Sequence, residues 1–372
     1  MRPAKLVLLS ILTMTGTAMS QTSVTKAPFG KLPNGEVVDQ YTLKSAHIEV
    51  KLITFGARIT AISAPDRAGH PGNMVLGYDS LAAYLADTKT YFGSIVGRYG
   101  NRIAKATFSL DGKAFHLPPN NNGNTLHGGT EGFDRRNWTA REIPNGVEFT
   151  LISPDGDQGF PGKLTAHVRY TLAGTALSIH YTATTDKDTV INLTNHAYFN
   201  LSGSGDILSH QLTLNADRYT PVDSGLIPTG KLAPVANTPF DFRAPHTIGE
   251  RINAKDEQLT LGLGYDHNFV LNVASSSQPH LAAKVADPKS GRTLTVLTTE
   301  PAIQFYSGNF LDGTAAGSFH GHDNMLYAKR TGLCLETQHY PDSPNHPAFP
   351  STELKPGQTY NTTTVLEFGI SK

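Results

Sequence analysis

Glu336 stands where the chain can least tolerate an idle charge. Gly332-Leu333-Cys334-Leu335-Glu336-Thr337-Gln338 reads as a buried strand, with Leu333, Leu335 and Thr337 on one face and Cys334, Glu336 and Gln338 on the other. A carboxylate among Leu, Cys and Leu is costly unless it is used or paired. The next stretch, His339-Tyr340-Pro341-Asp342-Ser343-Pro344-Asn345, is too rich in Pro and Asn to prolong the strand. Glu336 is therefore expected near a strand end beside a shaped loop, a common address for chemistry. The competing reading is a salt-bridged glutamate on a sheet edge.

Other stretches offer partners for it. Ile191 to Asn200, taken as one strand, puts Asn192, Thr194, His196, Tyr198 and Asn200 on one face, either a wet cleft wall or a plain solvent face. His196 is the one side chain there whose ordinary pKa suits proton transfer near neutrality. Gly97-Arg98-Tyr99-Gly100-Asn101-Arg102 lacks the phosphate-loop pattern and reads as a turn presenting Asn101 and Arg102. Asn120 to Gly129 is a loop ending on His127 between small residues. Asp266 lies between aromatics in Tyr265-Asp266-His267-Asn268-Phe269, and Gln304 shares a strand face with Tyr306. Carboxylates, amides and flat rings together are the equipment that holds sugar hydroxyls.

Two clusters carry metal-ligand types, His320-Gly321-His322-Asp323 and Asp155-Gly156-Asp157. Neither completes a known metal spacing, so ordinary turns and no metal are expected. Cys334 is the single cysteine, which excludes an intramolecular disulfide. In an apolar run it reads as a small buried hydrophobe rather than a nucleophile.

The elements that must position these groups are strands. The chain has 372 residues, of which 35 are Gly and 23 are Pro, and only 17% are charged. That balance favours turns and strands. Strands are expected at Tyr41–Leu43, His47–Thr54, Arg58–Ser63, Ala106–Leu110, Lys113–Leu117, Gly146–Ser153, Leu164–Leu172, Ala176–Thr184, Val190–Asn195, His210–Asn215, Thr293–Thr299, Ile303–Tyr306 and Leu333–Gln338. Asn34-Gly35, Asp111-Gly112 and Asn145-Gly146 are hairpin signals. One short helix is expected over Leu81 to Leu85, capped by Ser80. Many short strands with little helix argue a single large all-β domain over 34–372, with residues 21–33 as a polar connector.

Lys plus Arg and Asp plus Glu are 31 each. Such a balance gives no reason to expect nucleic acid or an anionic membrane as partner. Arg2 and Lys5, the apolar run Leu6 to Leu12 and Ala18-Met19-Ser20 form an export signal over residues 1–20, so an exported, periplasmic protein is expected. Sequons at Asn192 and Asn200 fall inside the proposed site, where a glycan would block it, which favours a bacterial source.

Set side by side, these stretches resemble the aldose 1-epimerase (galactose mutarotase) family. The matching pieces run from Tyr91-Phe92-Gly93 and Gly97 to Ile103, through Thr125 to Gly129, Gly132-Phe133-Asp134, Asp155 to Gly162 and Asn192 to Leu201. They continue through Asp266 to Phe269, Gln304 to Gly313, Leu335 to Asn345 and Pro356-Gly357. The resemblance implies a large antiparallel β-supersandwich, interconversion of the α and β anomers of free aldohexoses such as glucose and galactose, and no cofactor. It implies Glu336 as the catalytic base and His196 as the acid. Asn101, Arg102, His127, Asp266 and Gln304 are then the substrate-binding residues. Arg98-Tyr99-Gly100-Asn101 departs from the Arg-Val-Ala-Asn usual in relatives, which touches the pocket rim but not the contacting residues. The implied partner is a monosaccharide, and a monomer or weak homodimer is expected. A glycoside hydrolase using Glu336 and Asp266, a non-catalytic sugar binder and a phosphosugar epimerase are the rival readings.

Overall fold

The computed structural model describes residues 22–273, 276–314, 316–317 and 319–371, so the expected export signal lies outside the described residues. Among these, strands form three large antiparallel sheets. The widest runs in the order Thr139–Ile143, Gly146–Ser153, Leu164–Ala173, Ala176–Thr185, Tyr360–Ile370, Arg292–Thr298, His280–Ala286, Gln211–Leu214 and His246–Thr247. A second runs Tyr198–Phe199, Leu333–Gln338, Ala302–Tyr306, Asp266–Leu271, Ala216–Tyr219 and Ala233–Pro234. The third is Ser23–Lys31, Val37–Lys44, Glu49–Ile53, Arg58–Pro65 and Pro71–Asn73 in sequence order. The all-β supersandwich expected from the sequence is the fold observed.

Period-two patterning explains the layering. In Leu164–Ala173 every second residue, Leu164, Ala166, Val168, Tyr170 and Leu172, is fully buried, and the residues between them are not. These side chains meet Leu43, Val50 and Ile59 of the five-stranded sheet and Phe269, Ile303, Phe305 and Leu335 of the six-stranded sheet in one core. Full burial of each large side chain is worth roughly 1.5–3 kcal/mol before entropy costs. The Asp111-Gly112 hairpin forms as read: φ is 50° and 73° at the two residues, and Leu110 pairs with Lys113. Ser80 caps the helix Leu81–Ala86, its hydroxyl accepting from the Ala83 N–H.

Two expectations are corrected. Residues 21–33 are not a connector: Ser23–Lys31 is a nine-residue strand paired with Val37–Lys44, with a bulge between Pro28 and Gly30. It is mostly exposed, with only Val24 and Phe29 packing on the core, so no apolar periodicity betrays it. Nor is Ile191 to Asn200 one strand. It holds only Thr194–Asn195 and Tyr198–Phe199, and these two and Thr189–Val190 just before them each pair in a different sheet. The polar face expected there does not exist as a unit. Asn192 is spent on the Gly100 carbonyl and the His339 N–H, and Asn200 on the Thr331 carbonyl.

The six-stranded sheet sets the site. Leu333–Gln338 and Ala302–Tyr306 are buried at every residue, so this sheet is covered on both faces. One face is apolar and joins the core. The other carries cross-strand rows: Asp266, Tyr306, Cys334 and Tyr198 in one, and Asn268, Gln304 and Glu336 in the next.

Candidate active site

From those two rows Tyr198, Asp266, Tyr306 and Glu336 reach a cavity of about 160 Å³, which Tyr91, Asn101, Arg102, His127, His196 and Phe310, among others, also line. Larger cavities of about 380 and 590 Å³ lie elsewhere, but their buried charges are consumed within the protein. Asp287 in the first is bonded by Ser202 and Ser290, and His339 in the second by Glu300.

His196 enters from the turn between Thr194–Asn195 and Tyr198–Phe199. Its ring is stacked between Tyr91, at 5.7 Å and 29°, and Tyr198, at 5.1 Å and 28°. Its Nε2 lies 3.8 Å from Glu336 Oε1, within electrostatic reach but beyond a hydrogen bond. Glu336 Oε2 has no hydrogen-bond partner among the described residues. The competing reading, a salt-bridged glutamate on a sheet edge, does not hold: Leu333–Gln338 lies between two other strands of its sheet, and Glu336 is 2% exposed and faces the cavity.

Asn101 and His127 are built as a pair. Both have left-handed backbones, φ 61° and 51°. The Asn101 N–H donates to His127 Nδ1 at 3.1 Å, and the His127 N–H donates to the Asn101 carbonyl at 3.0 Å. A ring nitrogen that accepts must carry a lone pair, so the neutral His127 ring bears its hydrogen on Nε2. The Asn101 side-chain oxygen accepts from the Arg102 N–H, and Arg102 Nε donates to Asn121 Oδ1. Arg98 is no solvated surface arginine. It is buried and ties this turn to the Pro161 and Gly162 carbonyls and the Ser153 hydroxyl.

Gln304 is brought to the site but not to its surface. Its Nε2 donates to Asp266 Oδ1 at 2.7 Å, and it does not line the cavity. It holds Asp266 from behind. Tyr198 and Tyr306 line the cavity as their strand faces suggested, whereas Tyr91 and Phe310 line it without having been singled out from the sequence. Tyr306 and Phe310 stack at 5.9 Å and 17°, giving an aromatic wall beside Asp266.

Electrostatics follow from burial. Desolvation pushes the Glu336 carboxyl well above the usual range; Asp266 adds to this and Arg102 opposes it. Desolvation also raises Asp266, again opposed by Arg102 and by the Gln304 donor. It lowers His196 to about 4 and holds His127 well below its ordinary value, His196 and Arg102 adding to the latter. Ligand atoms of His127, His196 and Glu336 lie within 4.8 Å of one another, a donor set that suits a metal. The Asn101 N–H argues against that use, because it leaves His127 Nε2 with a hydrogen in place of the lone pair a metal needs. The sequence clusters that suggested metals are occupied by protein: His320 meets Asn324, His322 meets Asp79 and the Thr60 carbonyl, Asp155 meets Lys187, and Asp157 meets Arg136.

A proton donor and acceptor facing one small polar cavity on a supersandwich define an acid–base enzyme acting on a hydroxylated substrate. Comparison with known proteins gives the same class. The aldose 1-epimerase family profile matches residues 39–367. Human galactose mutarotase is 47% identical over 352 residues, covering 94% of this chain and 99% of the relative. Aldose 1-epimerase of Escherichia coli K12 is 42% identical, covering 90% and 96%. Galactose 1-epimerase of Lactobacillus acidophilus superposes with a TM-score of 0.82 at 30% identity, covering 94% of this chain and all of that structure. An aldose epimerase homologue from Caenorhabditis elegans superposes at 0.80, with 32% identity and 88% and 97% coverage. The chain belongs to the aldose 1-epimerase family. It is an isomerase of that class, a mutarotase.

Because Gln304 acts through Asp266, its loss should weaken substrate binding more than turnover. A hydrogen bond to a buried charge is worth roughly 1.5–3 kcal/mol. Gln304→Leu is expected to raise KM at least about tenfold while kcat changes by less than about threefold. Initial-rate polarimetry measures both; a fall in kcat at unchanged KM would show that Gln304 acts on the chemistry instead.

Proposed function

We propose that the protein interconverts the α and β anomers of free aldohexoses, with Glu336 and His196 as the acid–base pair. The observation that supports this most strongly is the approach of the two groups, at 3.8 Å, in a cavity that Asn101, Arg102, His127 and Asp266 also line.

Mutarotation needs a proton removed from the anomeric hydroxyl and one delivered to the ring oxygen. Glu336 takes the first and His196 Nε2 supplies the second. The ring opens, the C1–C2 bond rotates, and closure returns both protons with the roles exchanged. One proton therefore travels from His196 to Glu336 through the sugar and back. Carboxylate with imidazolium, and carboxyl with neutral imidazole, are the two ends of that path. They carry the same net charge, so the surrounding field does not have to reorganise. Burial, which disfavours both charged groups, brings the second form within reach of the first. Asp266 accepts from sugar hydroxyls, Arg102 donates its guanidinium fork, and His127 Nε2–H is a fixed donor toward the oxygen where charge develops. Tyr306 and Phe310 offer the flat face for the apolar side of the pyranose.

Glu336→Gln should lower kcat by roughly 100- to 10,000-fold, the range of one positioned proton transfer, with the fold retained. Polarimetry on fresh α-galactose or α-glucose reads this directly, and undiminished decay of rotation by the variant would sink the assignment.

The pair must also hold one proton to work. Near pH 4 and below, His196 becomes protonated while Glu336 is a carboxyl, and the base is lost. At high pH the raised Glu336 group ionises while His196 is neutral, and the acid is lost. The profile of kcat/KM should be a bell with its acid limb near pH 4 and its alkaline limb above the ordinary carboxylate range. A rate that rises to an alkaline plateau would contradict this.

A further inference from the structure

The two histidines of the site make opposite demands on their tautomers, and each has a different neighbour at Nδ1. His127 Nδ1 accepts a backbone N–H, which fixes its hydrogen on Nε2. His196 Nδ1 faces the sulfur of Cys334 at 3.5 Å, the one side-chain partner this atom has among the described residues. Cys334 sits in the catalytic strand two residues before Glu336, pairs across to Tyr306 on one side and Tyr198 on the other, and is fully buried. Its thiol is pushed well up by burial and by Glu336 and Asp266, so it stays neutral.

We propose that Cys334 is a positioning residue: its sulfur accepts the Nδ1–H of His196, so that Nε2 alone exchanges the proton with the substrate. This rests on the proton-transfer reading above and deepens it. When His196 gives its Nε2 hydrogen to the ring oxygen, the neutral ring that remains must be the Nδ1–H tautomer, ready to take the proton back at Nε2. Free imidazole rings give no such guarantee, and a partner at Nδ1 supplies it. Catalytic histidines commonly use a carboxylate there, which also stabilises the imidazolium. A neutral sulfur is a weak acceptor. It selects the tautomer without adding negative charge, which keeps the imidazolium a strong acid toward a poorly basic ring oxygen. The Tyr91 and Tyr198 rings fix the plane, and the sulfur fixes the rotation within it. The same pocket thus holds one imidazole as a permanent donor, His127, and one as the exchanging group, His196.

The test is nitrogen NMR of the imidazole rings in the full-length protein, labelled in histidine. It is combined with kinetics on Cys334→Ala and Cys334→Ser. In the wild type, near neutral pH, His196 should show a protonated Nδ1 and an unprotonated Nε2, with His127 showing the reverse. Cys334→Ala should mix the His196 tautomers and lower kcat roughly tenfold, the scale of one modest hydrogen bond, with KM within about twofold. Cys334→Ser, which restores an acceptor, should recover the tautomer and most of kcat. A merely structural role would lower the melting temperature of Cys334→Ala without changing the tautomer. An Nε2–H tautomer for wild-type His196, or one that ignores Cys334, overturns the proposal. The spectrum does not depend on activity. If Glu336→Gln stayed active while the tautomer followed Cys334, the catalytic assignment would fail and the contact would stand.

Discussion

The structure turns on the burial of two carboxylates on one face of one sheet. Glu336 and Asp266 are 2% and 8% exposed, and among the described residues neither has a lysine or arginine within ion-pair distance; Glu336 has only the His196 ring, at 3.8 Å. Uncompensated, such groups are expensive. Gln304 bonds Asp266, the Arg102 charge acts on both from the opposite wall, and Glu336 lessens its cost by holding a proton. That arrangement needs a sheet covered on both sides, apolar below and polar above. The wide nine-stranded sheet and the five-stranded sheet exist, in functional terms, to cover the first of those faces.

The same burial that makes the carboxylates costly sets the chemistry. It drives carboxyl and imidazole toward neutral forms, so that one proton can move between them at small cost. The loops add direction. The Asn101 backbone and the Cys334 sulfur each claim one ring nitrogen, which leaves each histidine a single nitrogen for the substrate.

Much of this was legible in the chain. Alternation marked Leu164–Ala173 and Ala176–Thr185, Asp111-Gly112 marked its hairpin, and Glu336 announced itself as a charge in an apolar strand. The strand Tyr360–Ile370, central to the widest sheet, was missed because its Asn-Thr-Thr-Thr start carries β-branched residues but little apolar alternation. Ser23–Lys31 was missed because an edge strand needs no buried face. His196 was found, but on a face that does not exist. Period-two reasoning assumes an unbroken strand, and here the chain changes partner sheet twice within ten residues. Gln304 read as a ligand contact because sequence gives the residue type and not the depth. Tyr91 and Phe310 carried no signal that separates a cavity wall from a core ring.

The central claim is that Glu336 and His196 work as one unit on one sugar. Its most direct measurement compares kcat/KM of Glu336→Gln, His196→Asn and the double variant by polarimetry. Groups that move one proton in a shared step lose their function together, so the double variant should be little worse than the poorer single one. Losses that multiply would mean two independent contributions, and would contradict the account.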